Sequence, residues 1–303
     1  MPRSRSRHNA PPDARPVRAG PTDVVAVRGQ LLAHIDAATN RLPPRRAISD
    51  ADVHEARKSI KRARAVLRLV QPALQADVYE SGKSALRDAG RALSSARDAK
   101  VMADRFAEML QRVDIEPFPV STIAGTQPGT GRRLSPRHRS DPAAARASLT
   151  AVHARMVDTQ LSATDWTPLG DGIRAIYRRG RREMPGKSAR AASSEALHEW
   201  RKRVKDYLHA LEVIVASGRP SPIRRTISSA RRVADALGEE HDLALLADAL
   251  RASAEHEDRR VGKLLKAIEE RRRRLRRRAL KSGTRLYAEA PAAMERWLRR
   301  CTT

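Results

Sequence analysis

Apolar positions recur every third or fourth residue through most of this chain, and strict alternation is rare. Long amphipathic helices are the expected element, and all-α is the expected fold class. At about 100° per residue, Ala56, Ile60, Ala63, Val66, Leu67 and Val70 fall on one side of a helix. Trp200, Val204, Tyr207, Leu211 and Ile214 form a matching apolar side in a later segment. Ser49 or Asp50 can cap the earlier helix, and Pro72 ends it. Further helices are expected at about 22–40, 77–95, 97–112 and 143–161, then near 168–183, 194–217, 221–238, 242–256 and 258–288, before a short amphipathic end. The Pro- and Gly-rich segment 114–142 reads as a loop, and residues 1–20 as a disordered basic tail. The chain thus divides into helical halves at 21–142 and 143–303.

The polar sides of the two helices repeat one another. His54-Glu55-Ala56-Arg57-Lys58-Ser59-Ile60-Lys61 matches His198-Glu199-Trp200-Arg201-Lys202-Arg203-Val204-Lys205 at the His, the Glu, the Arg and both Lys. The same offset of 144 residues aligns Arg87–Asp104 with Arg231–Asp248, including Leu93 with Leu237 and Asp98 with Asp242. A constant offset across two blocks points to an internal duplication and two pseudo-symmetric helical bundles.

On a helix, His54, Arg57, Lys58, Lys61, Arg64 and Arg68 share an arc of about 120°. His198, Arg201, Lys202, Lys205 and His209 share the corresponding arc of the second copy. Such a stripe repels itself, and a solvated helix normally interleaves Glu at four-residue spacing. Glu55 and Glu199 lie about 100° round from their histidines, so the stripes are expected to lack acidic partners. Two cationic faces in one register point to a polyanion. Arg forks across phosphate oxygens and Lys acts as a mobile charge. Histidine titrates near pH 6.5; surrounded by cations it should lose its proton more readily and regain it beside a bound polyanion, so binding is expected to take up protons and to tighten from about pH 8 to about pH 6.

The quoted motifs resemble the CHAD family, the conserved histidine α-helical domain. Lys61-Arg62-Ala63-Arg64, Ala96-Arg97-Asp98, Leu237-Gly238-Glu239-Glu240-His241-Asp242-Leu243 and Tyr177-Arg178-Arg179-Gly180-Arg181 are similar to it as well. The resemblance spans roughly residues 20–290. It implies two helical bundles around a basic central cleft or pore that binds inorganic polyphosphate, with an association to polyphosphate granules. Carried over residue by residue, the ligand falls to His54, Arg57, Lys58, Lys61, Arg62 and Arg64, and to His198, Arg201, Lys202 and Lys205; the helical stripe adds Arg68. Two positions depart from the pattern: His241 stands where a smaller polar residue is commoner, and Asp206 replaces the second base of Lys61-Arg62.

Composition sharpens the picture. There are 61 Lys+Arg against 35 Asp+Glu, a net charge of +26, which calls for an anionic partner and says nothing about fold. The single Cys, Cys301, excludes an internal disulfide and a Cys-based zinc site. No stretch reads as a secretory signal or a membrane span, so a cytoplasmic location is expected. No two histidines stand three or four residues apart, the flanking charges would repel a cation, and no metal or cofactor is expected. Gly125–Gly131 lacks the Lys-Ser/Thr ending of a P-loop. Asp98, Asp104, Asp242 and Asp248 fit capping or ion pairing better than catalysis, so a non-enzymatic binder is favoured over a polyphosphate-processing enzyme. Sequence-independent nucleic-acid binding is the other reading, although nine aromatics offer few stacking platforms and the stripes carry no Asn or Gln. Arg271–Arg278 contains seven Arg that encircle the helix axis. A solvated surface is the simpler expectation there, and a second contact with long polyphosphate or nucleic acid is the alternative.

Overall fold

The computed structural model describes residues 23–45, 47–93, 106–112, 141–186, 193–216, 221–252 and 258–302, and these are helical with short connections and no strand. The expected tail at 1–20, nearly all of the 114–142 loop and the start of the 97–112 helix lie outside them; residues 106–112 are helical.

Helix α1, Val24–Asn40, starts where the Asp23 carboxylate accepts from the Ala26 amide, and it buries Val24, Val27, Leu31 and Ile35. Helix α2, Asp50–Leu69, is opened by a reciprocal capping box between Ser49 and Asp52. A short 3-10 turn, Gln71–Ala73, follows it, with Pro72 supplying the stop. Helices α3, Ala76–Ala92, and α4, Pro142–Asp158, complete the first group. Then come α5, Thr167–Glu183; α6, Ser194–Ala216; α7, Ser221–Arg251; α8, Arg259–Leu286; and α9, Pro291–Thr302.

Helix α7 corrects the expectation of two helices at 221–238 and 242–256. Gly238 reads as a stop, yet the chain runs through it as one helix of 31 residues. Buried Ala236, Leu237, Leu243 and Ala244 continue the apolar face on both sides of the glycine, and packing overrides its poor propensity.

In the first group α1 packs on α2 and α4, and α3 on the same two helices. In the second, α5 packs on α6 and α9, while α7 lies against α6 and α8. Helix α2 joins them by touching both α5 and α6, and one apolar core runs through all of these contacts. The tightest approach is at Gly172 of α5, where a Cβ would sit 2.0 Å from the Leu69 carbonyl oxygen. Only glycine lets the end of α2 lie backbone on backbone there.

Charged contacts fix α8 against α7. Arg271 donates to both carboxylate oxygens of Glu239, at 2.7 and 3.1 Å. Arg272 and Arg276 both donate to Oε1 of Glu240, whose side chain is 1% exposed. These three arginines hold one side of α8 to its neighbour, so the Arg271–Arg278 run is not a uniformly solvated surface.

Candidate functional site

Helix α2 presents Lys58, Lys61 and Arg62 to solvent and leaves His54, Arg57, Arg64 and Arg68 half-buried. Helix α6 presents Lys202 and leaves His198, Arg201 and Lys205 half-buried. The two sets meet through Lys61 and Lys205. Burial pulls the Lys205 ammonium down to about 8, and the charges of Arg201 and Lys61 push the same way, against Asp235 and Asp242. Positive charge from α2 and α6 therefore overlaps at one place.

Arg201 lies on α7. Its guanidinium Nη2 is 3.4 Å from where a Cβ on Gly238 would be, so the missing side chain makes the bed for it. Burial loosens its hold on the proton, while Asp242 and Asp235 oppose that effect. Its Nε is buried with no hydrogen-bond partner. The His198 ring stacks on that of His241, with centroids 4.2 Å apart. Burial, followed by the charges of His241, Lys202 and Arg201, draws His198 down to about 4. The free protein thus keeps His198 neutral well below pH 6.5. That direction is the one expected for a histidine among cations, with burial as the larger cause.

On the other wall Arg64 is half-buried beside Arg68, Arg87 and Arg91, with Asp206 opposing their combined charge. Arg68 donates to Asp206 across the α2–α6 crossing at 2.6 Å. The stripe is thus open over His54–Arg64 and closed beyond. Ala65 and Leu69, on the cationic arc by helical spacing, are fully buried where α5 and α6 cover α2. Arg62 points elsewhere: after burial, its charge and that of His209 lower the pKa of His34 on α1, at the seam where Glu212 also stands.

The stripes are also not free of acid. Lys58 donates to Glu55 at 3.0 Å, and Lys202 donates to Glu199 at the equivalent place in the repeated motif. About 60° of helix surface separates each pair, a gap that two long side chains at i and i+3 bridge. His54 Nε2 lies 3.9 Å from the same Glu55.

Several residues at the site were not assigned to ligand binding by sequence. Arg87 and Arg91 stand one turn apart on α3 and face Arg64. Asp235, Gly238 and Asp242 shape the floor under Arg201 and Lys205. The available signal was the aligned block: Arg87 and Arg91 of α3 lie in its first copy, whose residues 94–104 are outside the described residues, and Asp235, Gly238 and Asp242 of α7 lie in its second. Beside Arg68, on the far side of the crossing, a pocket of about 520 Å³ is lined by Arg174, Arg178, Arg179, Arg203 and Asp206. Among the described residues no group of three or more His, Cys, Asp or Glu is placed to hold a metal ion, and no helix is long and apolar enough to cross a membrane.

A helical protein whose two motif helices cross and bring their cationic faces together is the class that fold and site define. The CHAD domain family model matches residues 29–251, and the chain belongs to that family. Among solved structures, PptA from Streptomyces chartreusis superposes with a TM-score of 0.54 at 16% identity, over 89% of this chain and 99% of that one, a likeness of fold. No curated protein matches the chain.

Proposed function

We propose that this protein binds inorganic polyphosphate without transforming it, in the cytoplasm, at polyphosphate granules or as a scaffold in phosphate metabolism. The observation that carries this reading is the electrostatic contact of Lys61 with Lys205, which ties the open faces of α2 and α6 into one basic groove. His54, Arg57, Lys58, Lys61 and Arg64, joined by Arg87 and Arg91, form one wall. His198, Arg201, Lys202 and Lys205 form the other. Arg62 and Arg68 act at the margins, the latter through its pair with Asp206. Each wall comes from one half of a duplicated chain. Family membership supports the same ligand, because the resemblance that names the family also implies polyphosphate.

A linear polyanion relieves the repulsion that the groove carries when empty. Guanidiniums fork across neighbouring phosphates, while the lysines follow the chain as it shifts. With about six phosphates neutralised, affinity should fall by roughly 0.7–0.9 log unit per contact for each decade of salt, by analogy with nucleic acids.

Titration of a labelled short polyphosphate tests the proposal. Arg57→Glu with Arg201→Glu should weaken binding far more than reversal of the bases between Arg3 and Arg18. Equal losses would mean that bulk charge does the binding. Displacement of the probe by duplex DNA at equal phosphate concentration would remove the claim of specificity.

A further inference from the structure

Helix α8 carries a second cationic face, on the side opposite its buried stripe. Val261, Leu264, Ile268, Leu275, Ala279 and Leu286 are buried on one side, together with the paired Arg272. At about 100° per residue, nine bases besides Arg260, which pairs with Asp258, occupy an opposite arc of about 140°. Arg259, Lys266, Arg273 and Arg277 line one edge of it; Lys263, Arg274, Arg278, Lys281 and Arg285 line the other. All nine are exposed, and among the described residues none makes a hydrogen bond or an ion pair. Glu270 is the one acid on the arc. The Arg271–Arg278 run is thereby partitioned: Arg271, Arg272 and Arg276 hold α8 to α7, and Arg273, Arg274, Arg277 and Arg278 project outward.

We propose that this face binds duplex nucleic acid, without reading its sequence. It lies beyond residues 29–251, the stretch matched by the family model, and shares no residue with the groove. Its breadth decides against a single linear chain: bases about 140° apart on a convex rod cannot all touch one row of phosphates. A duplex supplies two rows. Its major groove is about 12 Å wide, against about 10–12 Å for a helix with its side chains. The segment from Arg273 to Lys281, about 12 Å long, seats between the strands, with Arg273 and Arg277 toward one backbone and Arg274, Arg278 and Lys281 toward the other. Bases at the two ends reach phosphates beyond, over a total of about 39 Å. The face has no aromatic for stacking on single strands and no Asn or Gln for base edges. A bilayer would need apolar side chains to insert, and those of α8 are turned into the core.

The test compares a labelled random-sequence DNA duplex, a labelled short polyphosphate and phosphatidylserine-containing vesicles on the full chain. In the variant Arg273→Gln, Arg274→Gln, Arg277→Gln, Arg278→Gln, duplex affinity should fall about 100-fold at about 0.1 M salt, with a shallower salt dependence. Polyphosphate affinity should stay within about twofold, and so should the vesicle interaction, since the groove is untouched. A second variant, Lys263→Gln, Lys281→Gln, Arg285→Gln, should give the same ranking of probes. Unchanged duplex binding in both variants overturns the proposal. So does an equal loss of duplex and polyphosphate, or a loss confined to vesicles.

Discussion

Lys61 and Lys205, one hundred and forty-four positions apart in the chain, stand within each other's electrostatic field where α2 crosses α6. Holding two ammonium groups together is unfavourable, and the protein tolerates it by burying one and letting its proton go easily. The free Lys205 titrates near pH 8, and a bound polyanion must raise that value. Polyphosphate binding should therefore take up close to half a proton near pH 8 and tighten as pH falls through that range. Calorimetry in buffers of different ionisation enthalpy measures the uptake. Lys205→Arg keeps the charge but does not titrate there, so it should abolish most of the effect. An uptake unchanged by that substitution would place the proton elsewhere.

His198 affects stability in a different window. Its pKa is near 4 in the folded chain and about 6.5 when unfolded, so below pH 6.5 the unfolded state binds the extra proton. The stabilising preference for neutral histidine is complete above pH 6.5 and is lost as pH falls toward 4. After allowance for solvent screening the loss is about 1–2 kcal/mol. Thermal melts of the ligand-free protein should show it, and His198→Gln should flatten that part of the profile. An identical slope in the variant would count against the assignment.

Asp206 opposes the ligand while it supports the fold. It holds Arg68 across the crossing and adds negative charge beside Arg64. Asp206→Asn should cost about 1 kcal/mol in stability and strengthen polyphosphate binding severalfold, because Arg68 becomes available. Weaker binding in the variant would show that the pair positions the groove.

Gly172→Ala pits helix propensity against packing. Alanine gains about 1 kcal/mol in a helix interior, but its methyl would enter the space of the Leu69 carbonyl. The backbone cannot yield as a side chain does, so a net loss of about 3 kcal/mol or more is expected in urea unfolding. A neutral result would mean that α5 and α2 separate easily.

Glu240→Gln tests the attachment of α8. The substitution leaves Arg272 and Arg276 without their shared buried countercharge, which should cost about 3–5 kcal/mol. Denaturant midpoints would reveal it.

Much of this was legible in the chain. The apolar period gave the helices, Ser49 was among the candidate caps, and the repeated His-Glu-x-Arg-Lys motif marked the two basic faces. Local patterns failed where a distant residue decides. Gly238 reads as a helix stop until Arg201 is seen lying on it. Ala65 and Leu69 sit on the charged arc by spacing, and only the crossing of α6 explains their burial. Glu55 and Glu199 looked too far round the helix to reach the lysines, because angles taken at Cβ neglect side-chain length. The pKa of His198 depended on burial in the fold and then on His241, forty-three residues away.

Building each wall of the groove from a different part of the chain also imposes an order in time. Ribosomes deliver α2 long before α6, so a nascent chain displays half of the basic surface with nothing opposite it. High affinity arrives only once synthesis has passed the second motif, and the cargo meets a finished receptor.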